Sequence, residues 1–179
     1  SASAAYFDFN FDQESIESTL LDLAKKLLGQ RHRIRLLLKP DGQFHFTQGE
    51  LNSAVERTSQ RIHLAAKSID RNNPFLYHKT THREIYERAL RSVSEGDDVL
   101  LWNTDGFITE TSVANILMRA DNRWITPPVD CGLLPGTYRD WLLENGEVEE
   151  RKIHIDELTA RQDFVLVNSV RGRYRARLA

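Results

Sequence analysis

Between residues 12 and 28 the apolar positions recur at helical spacing. Ile16, Leu20, Leu23 and Leu27 fall on one face, Asp12 stands where its side chain can cap the first turn, and Gly29 suits the stop, so the spacing predicts a helix over 12–28. The period then changes. Arg33–Leu38 leads through Pro40-Asp41-Gly42 into Gln43–Phe46, which reads as strand, turn, strand, and Arg61–Ala65 reads as a third strand. The polar, turn-rich stretch Asp70–Pro74 is the expected boundary between a small N-terminal domain, 1–70, and a larger domain, 71–179.

Beyond it comes Phe75-Leu76-Tyr77-His78-Lys79-Thr80-Thr81, a strand-like run followed by a helix whose apolar positions are Ile85, Tyr86, Ala89, Leu90 and Val93. Asp98–Trp102 and Phe107–Thr111 are short strands joined across Asp105-Gly106, a strong hairpin signal. Ala114–Met118 and Trp124–Thr126 form a second strand pair. Thr137–Leu143 is a helix between Gly136 and Gly146. Val148–Ile153 and Asp163–Val167 are strands with a short helix, Asp156–Ala160, between them. The sum is mixed α and β with many short strands, an α+β class chain.

Composition narrows the reading by exclusion. The 179 residues suffice for a core, and 40% hydrophobic with 28% charged residues is an ordinary globular balance. The net charge of −2 gives no reason to expect nucleic acid or an anionic membrane as partner. The basic stretch Arg171–Arg177 is interleaved with apolar residues and reads as a terminal strand. One cysteine, Cys131, forbids an internal disulfide and makes a reducing, cytoplasmic compartment the expectation. No apolar run approaches the roughly 20 residues that span a bilayer. The chain opens Ser1-Ala2-Ser3-Ala4 and its single methionine is Met118. The expectation is a processed or trimmed product, or the ordered part of something longer.

Four segments are candidates for chemistry. Lys79 lies between aromatic and small polar residues, where partial burial would make its amine a nucleophile and base; a surface lysine is the plainer reading of Lys79 alone. In Gly106-Phe107-Ile108-Thr109-Glu110-Thr111-Ser112 a glutamate sits in an apolar strand and needs a partner if buried. A protonated ring nitrogen would supply one; an outward-facing strand glutamate is the alternative. In Cys131–Arg139 the glycines precede a helix that begins at Thr137. Free N–H groups and a hydroxyl there would seat a phosphate, and an ordinary helix start would look the same. Cys131 itself reads as a small buried hydrophobe. Asn168-Ser169-Val170-Arg171-Gly172 places polar groups at a strand end, where Arg171 could pair a carboxylate or simply face water. The six histidines show no metal-ligand spacing, and there is no dinucleotide fingerprint and no P-loop.

Taken in order, Lys79, then Asp98-Val-Leu-Leu-Trp-Asn-Thr-Asp-Gly-Phe-Ile-Thr-Glu-Thr-Ser-Val-Ala-Asn, then Leu133-Leu-Pro-Gly-Thr-Tyr-Arg, then Asn168-Ser-Val-Arg-Gly resemble the fold-type IV pyridoxal 5'-phosphate (PLP) enzymes, the branched-chain aminotransferase-like group. The wording is most similar to 4-amino-4-deoxychorismate lyases, including those fused behind an aminodeoxychorismate synthase component. The resemblance covers almost the whole chain. It implies a D-amino-acid aminotransferase-like fold, here with a truncated small N-terminal α/β domain and a larger pseudo-barrel C-terminal domain.

The same resemblance implies roles. Lys79 matches the lysine that holds the cofactor and later moves protons, and Glu110 matches the carboxylate on the pyridine nitrogen. Thr111 and Ser112 lie near the cofactor, Gly136 and Thr137 match its phosphate seat, and Ser169 and Arg171 occupy a late loop facing cofactor and substrate. Arg83 and Tyr86 follow Lys79 at positions often similar in lyase-like members. Ser3–Phe7 resembles the segment after a His-Leu-x-Arg-Leu motif, whose phosphate-binding arginine does not occur in this sequence, so several tens of preceding residues are expected. The implied activity is conversion of 4-amino-4-deoxychorismate to 4-aminobenzoate and pyruvate in folate biosynthesis, by a homodimer that acts with, or fused to, the synthase. An amino-acid aminotransferase is the alternative chemistry, and a non-catalytic docking fragment the alternative class.

Overall fold

In the computed structural model, which describes residues 2–27, 29, 31–51, 59–159 and 162–179, the first helical pattern forms where the spacing predicts it. A short helix α1, Ala2–Tyr6, precedes α2, Gln13–Lys26, and the Asp12 side chain accepts from Ser15 N at 3.1 Å as its cap. Only Ile16 of the predicted face is fully buried; Leu23 and Leu27 are half-buried and Leu20 is exposed. The strand–turn–strand reading becomes the antiparallel hairpin of β1, His32–Leu38, and β2, Phe44–Glu50. Gly42 turns it with φ +86°, against Asn10.

These elements make up one compact unit, Ser1–Val55, and the rest of the chain makes a second, Glu56–Ala179. The expected boundary at residue 70 is therefore too late. The reason is β3, Gln60–Leu64, which pairs in parallel with strands on both of its sides and so belongs to the second unit.

The second unit is built around a sheet that closes on itself. Its remaining strands are β4 (Asp98–Trp102), β5 (Ile108–Thr111), β6 (Asn115–Ala120), β7 (Arg123–Thr126), β8 (Glu149–Glu150), β9 (Phe164–Asn168) and β10 (Gly172–Leu178). The order β5-β4-β3-β10-β9-β6 returns to β5 through the Glu110–Asn115 pairing, while β7 and β8 extend from β6. Closure removes the edges that a short-stranded open sheet would expose. Both tight turns use the chemistry their residues suit: Gly106 has φ +84°, and Asp121 and Asn122 both adopt positive φ between β6 and β7.

Two helices cover the outside, α3 (Glu84–Leu90) and α4 (Thr137–Glu144). Alternate side chains of one strand therefore enter different cores. Leu100, Ile116, Met118 and Leu166 share the largest core with Ile62, Ile108 and Phe164. Val99 and Leu101 pack with Leu76 and Tyr86, and Leu117 and Val167 pack with Leu142 and Val148. Burial on both faces is why these strands read as apolar runs rather than alternations. Two sequence expectations shrink. Of Val148–Ile153 only Glu149–Glu150 is strand, the helix at 156–160 is a single 3-10 turn, Ile155–Glu157, and Ala160 lies outside the described residues.

Candidate active site

Glu110 is the centre of the arrangement. It lies on β5 and is 4% exposed. Tyr86 of α3 donates its hydroxyl to Oε1 at 2.7 Å, and the Leu134 backbone N–H donates to the same oxygen at 3.2 Å. Asn115 of β6 donates Nδ2 to Oε2 at 3.2 Å and also to Leu134 O at 2.9 Å. The two motifs that the sequence keeps twenty-odd residues apart are thus one hydrogen-bonded unit, with Asn115 clamping the Leu133–Gly136 loop onto the glutamate. Burial pushes the Glu110 carboxyl up to about 7, against the pull of the Tyr86 and Leu134 donors and the charges of Lys79 and Arg83. Near neutral pH the group sits at its midpoint.

Lys79 is exposed, and the run before it is not a strand. Pro74–Leu76 forms a 3-10 turn capped by Asn73, and Tyr77 donates its hydroxyl to Arg71 O at 2.6 Å. The expectation of a partly buried lysine is therefore corrected, because its segment is a loop at the mouth of a cleft instead of a strand within a sheet. That cleft, small and open to solvent, is lined by Lys79 with His78, Thr80, Arg83, Tyr86 and Leu134, so the lysine and both donors to Glu110 Oε1 share it.

The remaining predicted residues divide into two groups. Thr111 and Ser112 are buried at the end of β5. The Thr111 hydroxyl is spent within the hairpin, donating to Ala114 O at 3.1 Å, and Ser112 N donates to Asp98 Oδ1 at 3.2 Å while Ser112 O accepts from Arg83. Gly136 caps α4 in extended conformation. A Cβ there would stand 2.2 Å from Asn115 Oδ1, so glycine lets the helix start approach the glutamate's clamp. Thr137 is the first residue of α4 and is exposed, its hydroxyl available beside the unpaired N–H groups of the first turn.

Ser169 and Arg171 are exposed and do not line the cleft. Their loop is nevertheless tied to the β5–β6 turn. Asn168 donates to Val113 O at 3.2 Å and accepts from Val170 N and Arg171 N, and the Arg171 guanidinium rests 5.5 Å from the Tyr174 ring centre.

Cys131 is buried, and desolvation raises its thiol to about 11, consistent with a packed side chain rather than a nucleophile. Among the described residues no cluster of three or more metal-ligand side chains occurs, and no helix is long and apolar enough to cross a membrane. Sequence reasoning missed the part played by Tyr86, which the helical period absorbs as an apolar position, and by Arg139. The latter is 1% exposed and anchors α4 through Pro127 O at 2.8 Å and an ion pair with Glu150. Its place in Leu-Pro-Gly-Thr-Tyr-Arg was the available signal.

The sequence matches the amino-transferase class IV family over residues 1–178. The chain belongs to that family. This class IV chain is 38% identical over 111 residues, 58% of its length, to a Schizosaccharomyces pombe protein named "Putative aminodeoxychorismate lyase", and those residues are 48% of that protein. The chain thus spans about half the length of that curated relative. A structure named "Putative amino-acid aminotransferase" from Mesorhizobium loti superposes with a TM-score of 0.89 at 31% identity, covering 99% of this chain and 87% of the other. A hypothetical aminotransferase from Mycobacterium tuberculosis, solved in a PLP-bound form, superposes with a TM-score of 0.81 at 19% identity, over 99% of this chain and 72% of that one. The closed sheet with its two covering helices is accordingly the fold-type IV aminotransferase fold, in a family of PLP-dependent enzymes. The residues present fit the cofactor: a buried carboxylate near its midpoint for the ring nitrogen, an amine at the cleft mouth, and the exposed Thr137 hydroxyl at the start of α4 for a phosphate.

Proposed function

We propose that this cleft is the PLP site of a lyase that converts 4-amino-4-deoxychorismate to 4-aminobenzoate and pyruvate. The observation that carries the reading is Glu110: a buried carboxylate, held by Tyr86, Asn115 and Leu134, that shares its surroundings with Lys79. Bound PLP would supply an electron sink to the amine carbon of the substrate. Glu110 would hold the ring nitrogen's N–H, and the first turn of α4, with Gly136 and Thr137, would hold the phosphate. Lys79 would bind the cofactor at rest. During turnover its free amine would take the proton from the amine-bearing ring carbon and return one to the departing enolpyruvyl carbon. The ether C–O bond breaks as the ring becomes aromatic, so the products balance the substrate with no second reactant. Ser169 and Arg171 would approach the substrate from the loop that Asn168 ties to the β5–β6 turn.

The similarity to the S. pombe protein favours the lyase. The 31% identity to the M. loti structure, across nearly all of this chain, favours an amino-acid aminotransferase instead. The two differ in one requirement, because a transaminase needs a 2-oxo acid to accept the amine. The test uses the full-length protein with PLP. The lyase reading expects a visible absorbance band of lysine-bound cofactor that is lost in Lys79→Ala, and pyruvate release without any added 2-oxo acid. Turnover that depends on a 2-oxo acid would move the assignment to the aminotransferase, and absence of the band in the unaltered protein would end both.

A further inference from the structure

The three donors to Glu110 are unevenly divided. Among the described residues, Oε1 accepts from the Tyr86 hydroxyl at 2.7 Å and from Leu134 N at 3.2 Å, whereas Oε2 accepts from Asn115 Nδ2 alone, at 3.2 Å. Each carboxylate oxygen offers two acceptor positions. Oε1 is filled, and Oε2 keeps one. We propose that Tyr86 is the positioning residue of this site: its hydroxyl fixes the rotation of Glu110, so that Oε2 presents its open acceptor position to a heteroaromatic N–H, and weights the carboxyl toward its charged form. The proposal rests on the reading of the cleft as a PLP site.

The surroundings of Tyr86 suit that task. Its ring is 7% exposed and packed with Leu76, Val99 and Leu101, so the hydroxyl has little freedom to leave the carboxylate. Burial, and then the charge of Glu110, raise the phenol well above its ordinary range, so it remains a donor at every working pH. The Arg83 guanidinium stands 4.6 Å from the ring centre and is itself bonded to Ser112 O. It places a positive charge beside the phenol without taking up a carboxylate oxygen.

The charged and titratable groups that act on Glu110 are Tyr86 from α3, Arg83 at the N-cap of that helix and Lys79 from the loop before it. Asp98 of β4 is engaged by Ser112 N, and β6 and the Leu133–Gly136 loop contribute only the neutral Asn115 and a backbone N–H. Tyr86 is thus the largest of the influences that oppose burial at Glu110. Without its hydroxyl, desolvation would leave the carboxyl protonated at neutral pH. A neutral carboxyl cannot keep a ring nitrogen protonated.

The test reads the carboxyl directly and needs no cofactor. In the full chain carrying carbon-13 at glutamate side-chain carboxyls, the Glu110 resonance is assigned by its loss in Glu110→Gln and titrated. Tyr86→Phe is expected to raise its midpoint by about one to two pH units, the worth of a charge-assisted hydrogen bond. A ring-fluorinated tyrosine at position 86, a stronger donor of the same shape, is expected to lower it. A merely structural tyrosine would not move the midpoint in opposite directions. If Tyr86→Phe does not fold, the fluorinated protein decides alone. An unmoved midpoint in protein that forms the Lys79-dependent band would overturn this inference and leave the cofactor reading in place. A moved midpoint in protein that forms no such band would overturn the cofactor reading while the hold of Tyr86 on Glu110 stands.

Discussion

A carboxylate as buried as Glu110 is costly unless its charge is met, and here the meeting is partial. Three donors reach it, yet its proton affinity stays high, which leaves a place for one more N–H. Glu110→Gln tests how much that place is worth. The amide oxygen can still accept from Tyr86 and Leu134, but the amide nitrogen then faces the Asn115 Nδ2, donor against donor. PLP affinity is expected to fall by about one to two decades, the value of a charge-assisted hydrogen bond at ~1.5–3 kcal/mol, as read by absorbance titration of the cofactor-free protein. Unchanged affinity would mean that Glu110 does not meet the cofactor. At this scale Glu110 was legible as a candidate because a lone acidic residue interrupts an apolar strand. The role of Tyr86 was not, although its position after Lys79 stood out, because its ring fits the apolar period of α3 and only its hydroxyl carries the information.

Between elements, the decisive contact joins β5, β6 and the loop that enters α4. Asn115 bonds both Glu110 and Leu134 O, and Gly136 is the residue that lets the loop come this near. Gly136→Ala would drive a Cβ to 2.2 Å from Asn115 Oδ1. Backbone φ at Gly136 is −77°, so the conformation itself suits alanine and the penalty is steric. The expected loss is about 1–3 kcal/mol in urea unfolding, typical of overpacking, together with weaker PLP binding as Asn115 is displaced. Unaltered stability would show that the loop moves aside at little cost. The helices and hairpins of this unit were readable from period and turn chemistry, as Asp105-Gly106 and Asp121-Asn122 illustrate. The Lys79 segment was not. Its aromatic run imitates a strand, but Pro74 and the Asn73 cap favour a 3-10 turn.

For the whole molecule, the proton held by Glu110 links the site to stability. Its native midpoint is about 7, raised from an ordinary 4.5. Below the ordinary value both folded and unfolded chains hold the proton. As pH rises towards 7 the unfolded chain releases it first, so this group's contribution to stability is full at low pH and declines across that window. The slope is at most about 1.4 kcal/mol per pH unit. Chemical unfolding of the cofactor-free protein from pH 5 to about 7 should show the decline, and Glu110→Gln should flatten it. A slope that survives the substitution would assign the linkage elsewhere. The barrel that buries this group is a property of long-range pairing, in which Ile62 of β3 pairs with Asp98 of β4 on one side and, on the other, with Leu178 of β10, more than a hundred residues away. No local pattern near residue 60 announces that partnership, which is why a turn-rich stretch at Asp70–Pro74 was the more visible boundary.

By itself the sequence determined the elements with strong period or obligatory turns, the α+β class, and, through the order of its motifs, the family. These depend on neighbours along the chain, which a sequence displays. Tertiary structure alone decided that Asn115 and Leu134 hold one carboxylate, that Tyr86 is its donor, and that Lys79 stands exposed at the mouth of the cleft. Each of those facts depends on which strands close the sheet and on which side chains closure brings within hydrogen-bond reach, and such distances are set by the packing of the whole unit.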